Sequence, residues 1–163
     1  MLESLKIVDL STVLAGPSVG TFFAELGAQV LKIENSKIPD VTRSWKLSNE
    51  DPKSSVSAYF SSVNFKKNYI QLNLSESIDY NHFIQLISEA DILISNFKKG
   101  DDAKFKIQDN ILRKNNPKLI IGKISGYGSE SDRVAYDLIL QAETGFMSMN
   151  GTPESGPVKM PVA

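Results

Sequence analysis

The sequence contains no cysteine. Disulfides, thiolate metal sites and a cysteine nucleophile are therefore excluded. It has one histidine, His82, so an imidazole metal site or a serine–histidine pair would rest on that residue alone. No apolar run approaches the roughly 20 residues that cross a bilayer as a helix. The opening MLESLKIVDLS lacks a basic segment followed by an apolar core and a small-residue cleavage site. No secretory leader and no membrane partner are expected, and a cytoplasmic protein is the default. Neither sign of charge dominates: 18 Lys and Arg face 19 Asp and Glu, for a formal net charge of −1. Nucleic acid is therefore not expected as a partner.

What is present is the composition of a soluble globular chain, 41% hydrophobic and 23% charged. A chain of 163 residues can bury a core and is most simply one domain. LKIVDL (Leu5 to Leu10) is a short β-branched run that predicts a buried strand. STVLAGPSVG reads as a loop, signalled by Ser, Gly and Pro. SVGTFFAELGA then places Val19, Phe22, Phe23 and Leu26 at helical spacing, with Gly27 as its stop. QVLKIE is a second strand, so the first 34 residues predict a parallel βαβ unit.

Residues 35–57 are polar and aperiodic, a long loop with a helical turn near Trp45. Loops of that length within compact domains are often functional. NYIQLNL reads as a strand. SESIDYNHFIQLISEA predicts a helix with Ser75 as N-cap and Ile78, Phe83, Leu86 and Ile87 on one side. His82 is expected as a surface or boundary residue of that helix. DILISNF is a strand, DDAKFKIQDNILRKNN is partly helical and ends at Pro117, and KLIIGKISGYG is a strand with a glycine turn. YDLILQAETGFMSM predicts a helix carrying Leu138, Ile139, Ala142, Phe146 and Met149, with Asp137 as its N-terminal cap. The alternation argues for an α/β fold: a Rossmann-like, mainly parallel sheet flanked by helices. Ligands in such sheets bind beyond the carboxyl ends of the strands. The loops to watch are STVLAGP, NSKIPDVTR, NFKKG and SGYG.

Two common nucleotide-binding modes do not fit these loops. The dinucleotide fingerprint needs G-x-G-x-x-G after the first strand, but Gly16 and Gly20 are wrongly spaced and Pro17 lacks an N–H. No G-x-x-x-x-G-K-[ST] occurs anywhere.

Six segments in order carry a different resemblance. The first runs from Asp9 through Ala15-Gly16-Pro17 and Leu26-Gly27-Ala28 to Lys32-Ile33-Glu34. PDVTR, KKNYIQLNL, ADILISNFKKG, NPKLIIGKISGYG and AYDLILQAETGFMSMNG follow. Together they resemble the class III CoA-transferase family, which includes formyl-CoA transferase, carnitine CoA-transferases and alpha-methylacyl-CoA racemase. The likeness spans essentially the whole chain and implies a CoA-binding α/β domain over residues 1–163, truncated at its C-terminus. Coenzyme A or an acyl-CoA is the implied substrate, a small carboxylic acid the second one, and no metal is implied. The resemblance places CoA along Leu14 and Ala15; Leu72, Asn73, Leu74 and Ser75; Asn96, Phe97, Lys98 and Lys104; and Arg133, Val134, Ala135 and Tyr136. Arg43 is a possible loop anchor. Asn35, Asn68, Tyr69, Asn73 and the pair Lys98-Lys99 depart from the family pattern. At Lys98 a point charge replaces the planar fork of an Arg.

The racemases carry His directly before the Asp of the AYDLIL segment, where this chain has Tyr136. With a reference pKa of about 10, Tyr is a poor base at neutral pH, which favours acyl transfer over proton exchange. In the transferases an Asp nucleophile follows a P-[VI]-[AG] run. Here SGPVKMPVA places it directly after Ala163, so no catalytic residue is expected within the chain. The first expectation is therefore the N-terminal part of an acyl-CoA:carboxylate CoA-transferase, inactive alone, that works through an aspartyl-CoA thioester. The alternatives are a non-catalytic CoA-binding remnant, an active half needing a separately encoded C-terminal half, and a racemase-like half-protein. Full-length family members are homodimers, and that assembly is implied with the rest.

Overall fold

Strand β1, Lys6–Asp9, alternates its side chains between two faces of a sheet, and that alternation sets the layering. Val8 and Leu10 enter one buried cluster with Ile33, Phe83, Ile87, Leu93, Leu112 and Leu119. Ile7 enters another, with Ala24, Ala28, Val30 and Ile94. A sheet apolar on both faces must be covered on both, which is why its strands read as nearly continuous apolar runs. The computed structural model describes residues 2–161. It divides into two compact units, Met1–Ile124 and Ser125–Ala163.

The first unit holds a five-stranded sheet. After β1 come helix α1 (Ala15–Glu25), strand β2 (Gln29–Glu34), helix α2 (Ala58–Val63) and strand β3 (Asn68–Gln71). Helix α3 (Ser77–Glu89), strand β4 (Ile92–Ser95), helices α4 (Asp101–Lys104) and α5 (Asp109–Asn115), and strand β5 (Ile120–Lys123) complete it. The strand order is β3-β2-β1-β4-β5, and every neighbouring pair is parallel. Val8 stands opposite Leu31 on one side and Leu93 on the other. The chain winds outward from β1 to β3, then returns to β1's free side with β4. The switch point, where ligands bind in open α/β sheets, thus lies between the loops that follow β1 and β4.

Helix α1 begins earlier than the glycine and proline signals suggest. Ala15, Gly16 and Pro17 form its first turn rather than a loop. Pro17 is tolerated because the N–H it lacks would have no helical partner there. The first helical bond runs from Ser18 N to Leu14 O at 2.8 Å. The end is as expected. Gly27 adopts φ +95°, and Ala28 N reaches Phe23 O while Gly27 N reaches Ala24 O, the paired bonds of a Schellman stop.

Helix α3 corrects two expectations. Its N-cap residue is Glu76, not Ser75, and that side chain makes no capping bond. Instead Asn73 accepts from Ser75 N (3.2 Å) and Asp79 accepts from Asn73 N (2.7 Å), which closes the turn before the helix. Phe83 and Ile87 are fully buried, but Ile78 is 82% exposed. It sits in the first turn of the helix. Strand β3 is shorter than predicted: Leu72 N still donates to Glu34 O (2.9 Å), but Asn73 closes the turn that leads into α3. His82 lies exposed on α3. The polar stretch 35–57 is a loop carrying one 3-10 turn, Val41–Ser44, beside Trp45.

The second unit contains helix α6 (Asp137–Glu143), a 3-10 turn (Phe146–Met149) and a two-residue hairpin of β6 (Gly151–Thr152) and β7 (Gly156–Pro157). The helix stops at Glu143, short of the predicted run, because Gly145 takes φ +84°. Asp137 is the first helical residue and Tyr136 occupies the N-cap. Asp137 accepts instead from Gln141 Nε2 (3.0 Å) and pairs with Lys159 (3.1 Å). Those bonds, with charge–charge attraction to Lys159, hold its carboxyl below the usual range. Leu138, Ile139, Phe146 and Met149 are exposed. Among the described residues no helix is long and apolar enough to cross a membrane.

Candidate functional site

The same alternation that buries Ile7 and Val30 carries Asp9, Lys32 and Glu34 to α1's side of the sheet, at its carboxyl end. All three are buried, with Asp40 and Thr42 from the following loop. A buried charge is tolerated only when it is paired and hydrogen-bonded, and each of these is.

Asp9 and Lys67 form the first pair, 2.8 Å apart, with side chains 0% and 1% exposed. Lys67 also donates to Pro17 O (2.7 Å), Val63 O (3.0 Å) and Asn64 Oδ1 (3.0 Å). One ammonium thus ties β1 to the first turn of α1 and to the end of α2. Burial pushes the Lys67 amine below its ordinary value, against the attraction of Asp9. Gly20 is where α1 passes over this pair; a Cβ there would stand 2.7 Å from Asp9 Oδ2.

Lys32 and Asp40 form the second pair, at 3.6 Å, with both side chains at most 1% exposed. The third is bidentate: Arg43 donates from Nη2 to Glu34 Oε1 (2.8 Å) and from Nε to Glu34 Oε2 (3.0 Å). Glu34 Oε2 also accepts from Asp40 N at 2.9 Å. The guanidinium lies over the Phe60 ring at 3.8 Å. Its bond to Glu34 raises the Arg43 pKa above the ordinary value. Arg43 thereby pins the loop after β2 to the sheet and to α2.

These pairs surround the loop that follows β1. Ser11 N donates to Asp9 Oδ1 (2.9 Å), and Ser11 O accepts from Lys32 Nζ. Thr12 N donates to Asn96 Oδ1 (2.9 Å), and Thr12 O accepts from Asn96 Nδ2 (2.8 Å). Val13 N donates to Asp40 Oδ2 (3.0 Å). Val13 has φ +72°, a left-handed conformation that costs an L-residue roughly 1–2 kcal/mol and is rare for a β-branched one. Leu14 and Ala15 follow directly and open α1.

A family profile for CoA-transferase family III matches residues 2–163. The chain belongs to that family. A succinate–glutarate CoA-transferase of Agrobacterium fabrum is 36% identical over 99% of this chain and 42% of its own length. An acetyl-CoA:oxalate CoA-transferase of Acetobacter aceti is 35% identical over 97% of this chain and 40% of its own. A CAIB/BAIF family protein from Brucella suis has a solved structure that superposes with a TM-score of 0.86 at 34% identity, over 97% of this chain and 43% of that one. The chain thus spans about two-fifths of the length of the curated relatives it matches.

Of the positions that the sequence resemblance expects to hold CoA, those in the first unit lie in the loops after β1, β3 and β4 and at the end of α4. Leu14 is half-buried and Ala15 exposed at the start of α1. Leu72 and Asn73 are buried, Leu74 is half-buried and Ser75 is exposed in the turn after β3. Asn96, Phe97 and Lys98 follow β4, and Lys104 ends α4. Phe97 packs on Phe105 at 5.5 Å, while Lys98 and Lys104 are exposed, with Lys104 Nζ 5.0 Å from the Phe105 ring. The side chains of Asn73 and Asn96 are occupied with backbone: Asn73 closes the turn before α3, and Asn96 holds Thr12.

Arg133, Val134, Ala135 and Tyr136 lie in the second unit. Arg133 pairs with Glu143 and stacks on Tyr127 at 4.0 Å. Tyr127 Oη donates to Glu143 Oε2 at 2.8 Å. Val134 and Tyr136 are exposed and Ala135 is half-buried. Val162 and Ala163, which lead to the expected nucleophile position, lie outside the described residues.

Sequence reasoning missed Lys67, Lys32 and Asp40. One signal for Lys32 was available: a lysine inside the apolar strand VLKIE must either reach an edge or meet an anion. Lys67 carried no such signal, since its partner is 58 residues away.

Proposed function

We propose that this chain is the CoA-holding N-terminal part of an acyl-CoA:carboxylate CoA-transferase, with the attacking carboxylate contributed by the residue that the family motif places directly after Ala163. The observation that carries the reading is that the loops after β1 and β4, which hold the expected CoA positions Leu14–Ala15 and Asn96–Lys98, are joined through Thr12 and Asn96 at the switch point of the sheet. Apolar walls there come from Leu14 and Phe97. Lys98 and Lys104 are the proposed phosphate partners, acting as mobile point charges.

The chemistry is an exchange of CoA between two carboxylic acids. The enzyme's carboxylate attacks the thioester carbonyl of the donor, and CoA leaves as the thiolate. The resulting mixed anhydride is opened by that thiolate at the enzyme's own carbonyl, which releases the donor acid and forms an aspartyl-CoA thioester. The acceptor acid then repeats the two steps in reverse. Covalent catalysis divides one difficult exchange into easier ones. Tyr136, in place of the racemases' histidine, favours this reaction over exchange of an α-proton. Several relatives are named for succinate, glutarate, mesaconate and oxalate and one for a bile acid; the majority supports a small acyl-CoA donor and a small carboxylic acid acceptor. The active assembly is proposed as a homodimer of the longer protein.

The test is to incubate the 163-residue chain with succinyl-CoA and glutarate and to follow glutaryl-CoA by mass spectrometry. The expected result is no exchange above the blank. Exchange by this chain alone would place the nucleophile inside it and overturn its assignment to the next position.

A further inference from the structure

The loop after β1 is held more completely than a connecting loop requires. Five backbone groups on the consecutive residues Ser11, Thr12 and Val13 are bonded by four side chains, Asp9, Lys32, Asn96 and Asp40. These side chains come from β1, β2, the loop after β4 and the loop after β2. Three of them belong to two buried ion pairs, Asp9 with Lys67 and Lys32 with Asp40, so they cannot swing away without leaving a charge unpaired. The residue at the end of the grip, Val13, is in a left-handed conformation that valine disfavours. Unheld, it would relax to negative φ and carry Leu14 and the start of α1 with it. Strain of this kind persists only where the surroundings over-determine it, and such places cluster at functional sites.

We infer that Asn96 and the Lys32–Asp40 pair are positioning residues that fix Val13 in its strained conformation and so set Leu14 and Ala15 for CoA before the ligand arrives. The inference rests on the CoA reading above and adds a mechanism to it. Their side chains act through the backbone of the loop after β1; that of Asn96 is taken up by Thr12, which leaves its main chain to face the ligand. Asn96 is the tunable member: its amide bridges Thr12 N and O as a second backbone would. Losing Asn96 frees Thr12 and lets the strain at Val13 discharge. Val13→Gly removes the strain itself, because glycine accepts positive φ without cost. The two changes are therefore coupled in a predictable sense: once the strain is gone, the grip on Thr12 matters less.

The experiment is a double-mutant cycle read by calorimetric titration of coenzyme A. Asn96→Ala is expected to weaken CoA at least tenfold in the parent chain, and less than threefold in a chain already carrying Val13→Gly. A simple structural loss at Asn96 would cost the same in both backgrounds, and that result overturns the inference. So does an Asn96→Ala chain that binds within twofold of the parent. If Asn96→Ala does not fold, Asn96→Asp replaces it in the cycle, since it keeps the bond from Thr12 N and loses the one to Thr12 O. Amide exchange of the parent chain separates this inference from the reading beneath it. Slow exchange at Thr12 and Val13 is expected with or without ligand. Free exchange at both overturns the fixed loop even if CoA binds. A parent chain that ignores millimolar CoA overturns the CoA reading and the ligand half of the inference, while slow exchange would still support the fixed loop.

Discussion

Lys67→Met should remove about 3–5 kcal/mol of stability, the range for breaking a buried ion pair by deleting one partner. Domains are stable by only about 5–15 kcal/mol, so the variant is expected to be largely unfolded or on the edge of unfolding at room temperature. The cause is what remains. Asp9 is fully buried, and its Oδ2 would lose the ammonium at 2.8 Å. Pro17 O, Val63 O and Asn64 Oδ1 would lose their shared donor in the same step. Methionine fills the space of the lysine stem but supplies none of these bonds. Removing both charges, by Lys67→Met together with Asp9→Asn, should cost less than Lys67→Met alone, because no unpaired charge is then buried. Urea unfolding followed by circular dichroism measures both. A Lys67→Met chain within 1 kcal/mol of the parent would mean that the pair is not held as described.

Arg43→Ala is expected to cost about 3–4 kcal/mol by the same argument applied to Glu34, whose side chain is 1% exposed. Two charge-assisted bonds and the stack on Phe60 go together. The effect should be centred on residues 35–57, since Arg43 is what joins that loop to the sheet. Cleavage by a protease between Trp45 and Ser57 should accelerate more than cleavage elsewhere. Arg43→Lys is expected to recover less than half of the loss. A single ammonium cannot reproduce the fork that meets both oxygens of Glu34. Equal stability of Arg43→Lys and the parent would contradict a bidentate role.

The sheet was legible in the sequence for a physical reason. Parallel strands covered on both faces are short β-branched runs, and KIVD, QVLKIE, ILIS and IIGK keep that signature whatever surrounds them. Gly27 announced the end of α1, since only the left-handed residue of a helix stop calls for it. The start of α1 was not legible: Gly16 and Pro17 signal a loop locally, yet both are allowed in a first helical turn. Helix α2, with Ser61 and Ser62 in six residues, is too short and too polar to leave a period. For the site, the motif order pointed to the loops after β1, β2, β3, β4 and β5, because those motifs follow the strand ends. The ionic framework behind them stayed hidden, since pairs such as Asp9 with Lys67 join residues far apart in sequence. The strain at Val13 was invisible as well; nothing in STVLAGP marks a valine as left-handed.

The central proposal is that CoA is held by the carboxyl-end loops of this chain. The direct measurement is a titration of coenzyme A into the isotope-labelled 163-residue chain, followed by amide chemical shifts. The predicted result is a set of concentration-dependent shifts at Leu14, Ala15, Leu74, Ser75, Phe97, Lys98 and Lys104. Residues at the opposite end of the sheet, such as Lys6, Gln29 and His82, should stay fixed. No shifts at millimolar CoA, or shifts confined to that opposite end, would contradict it.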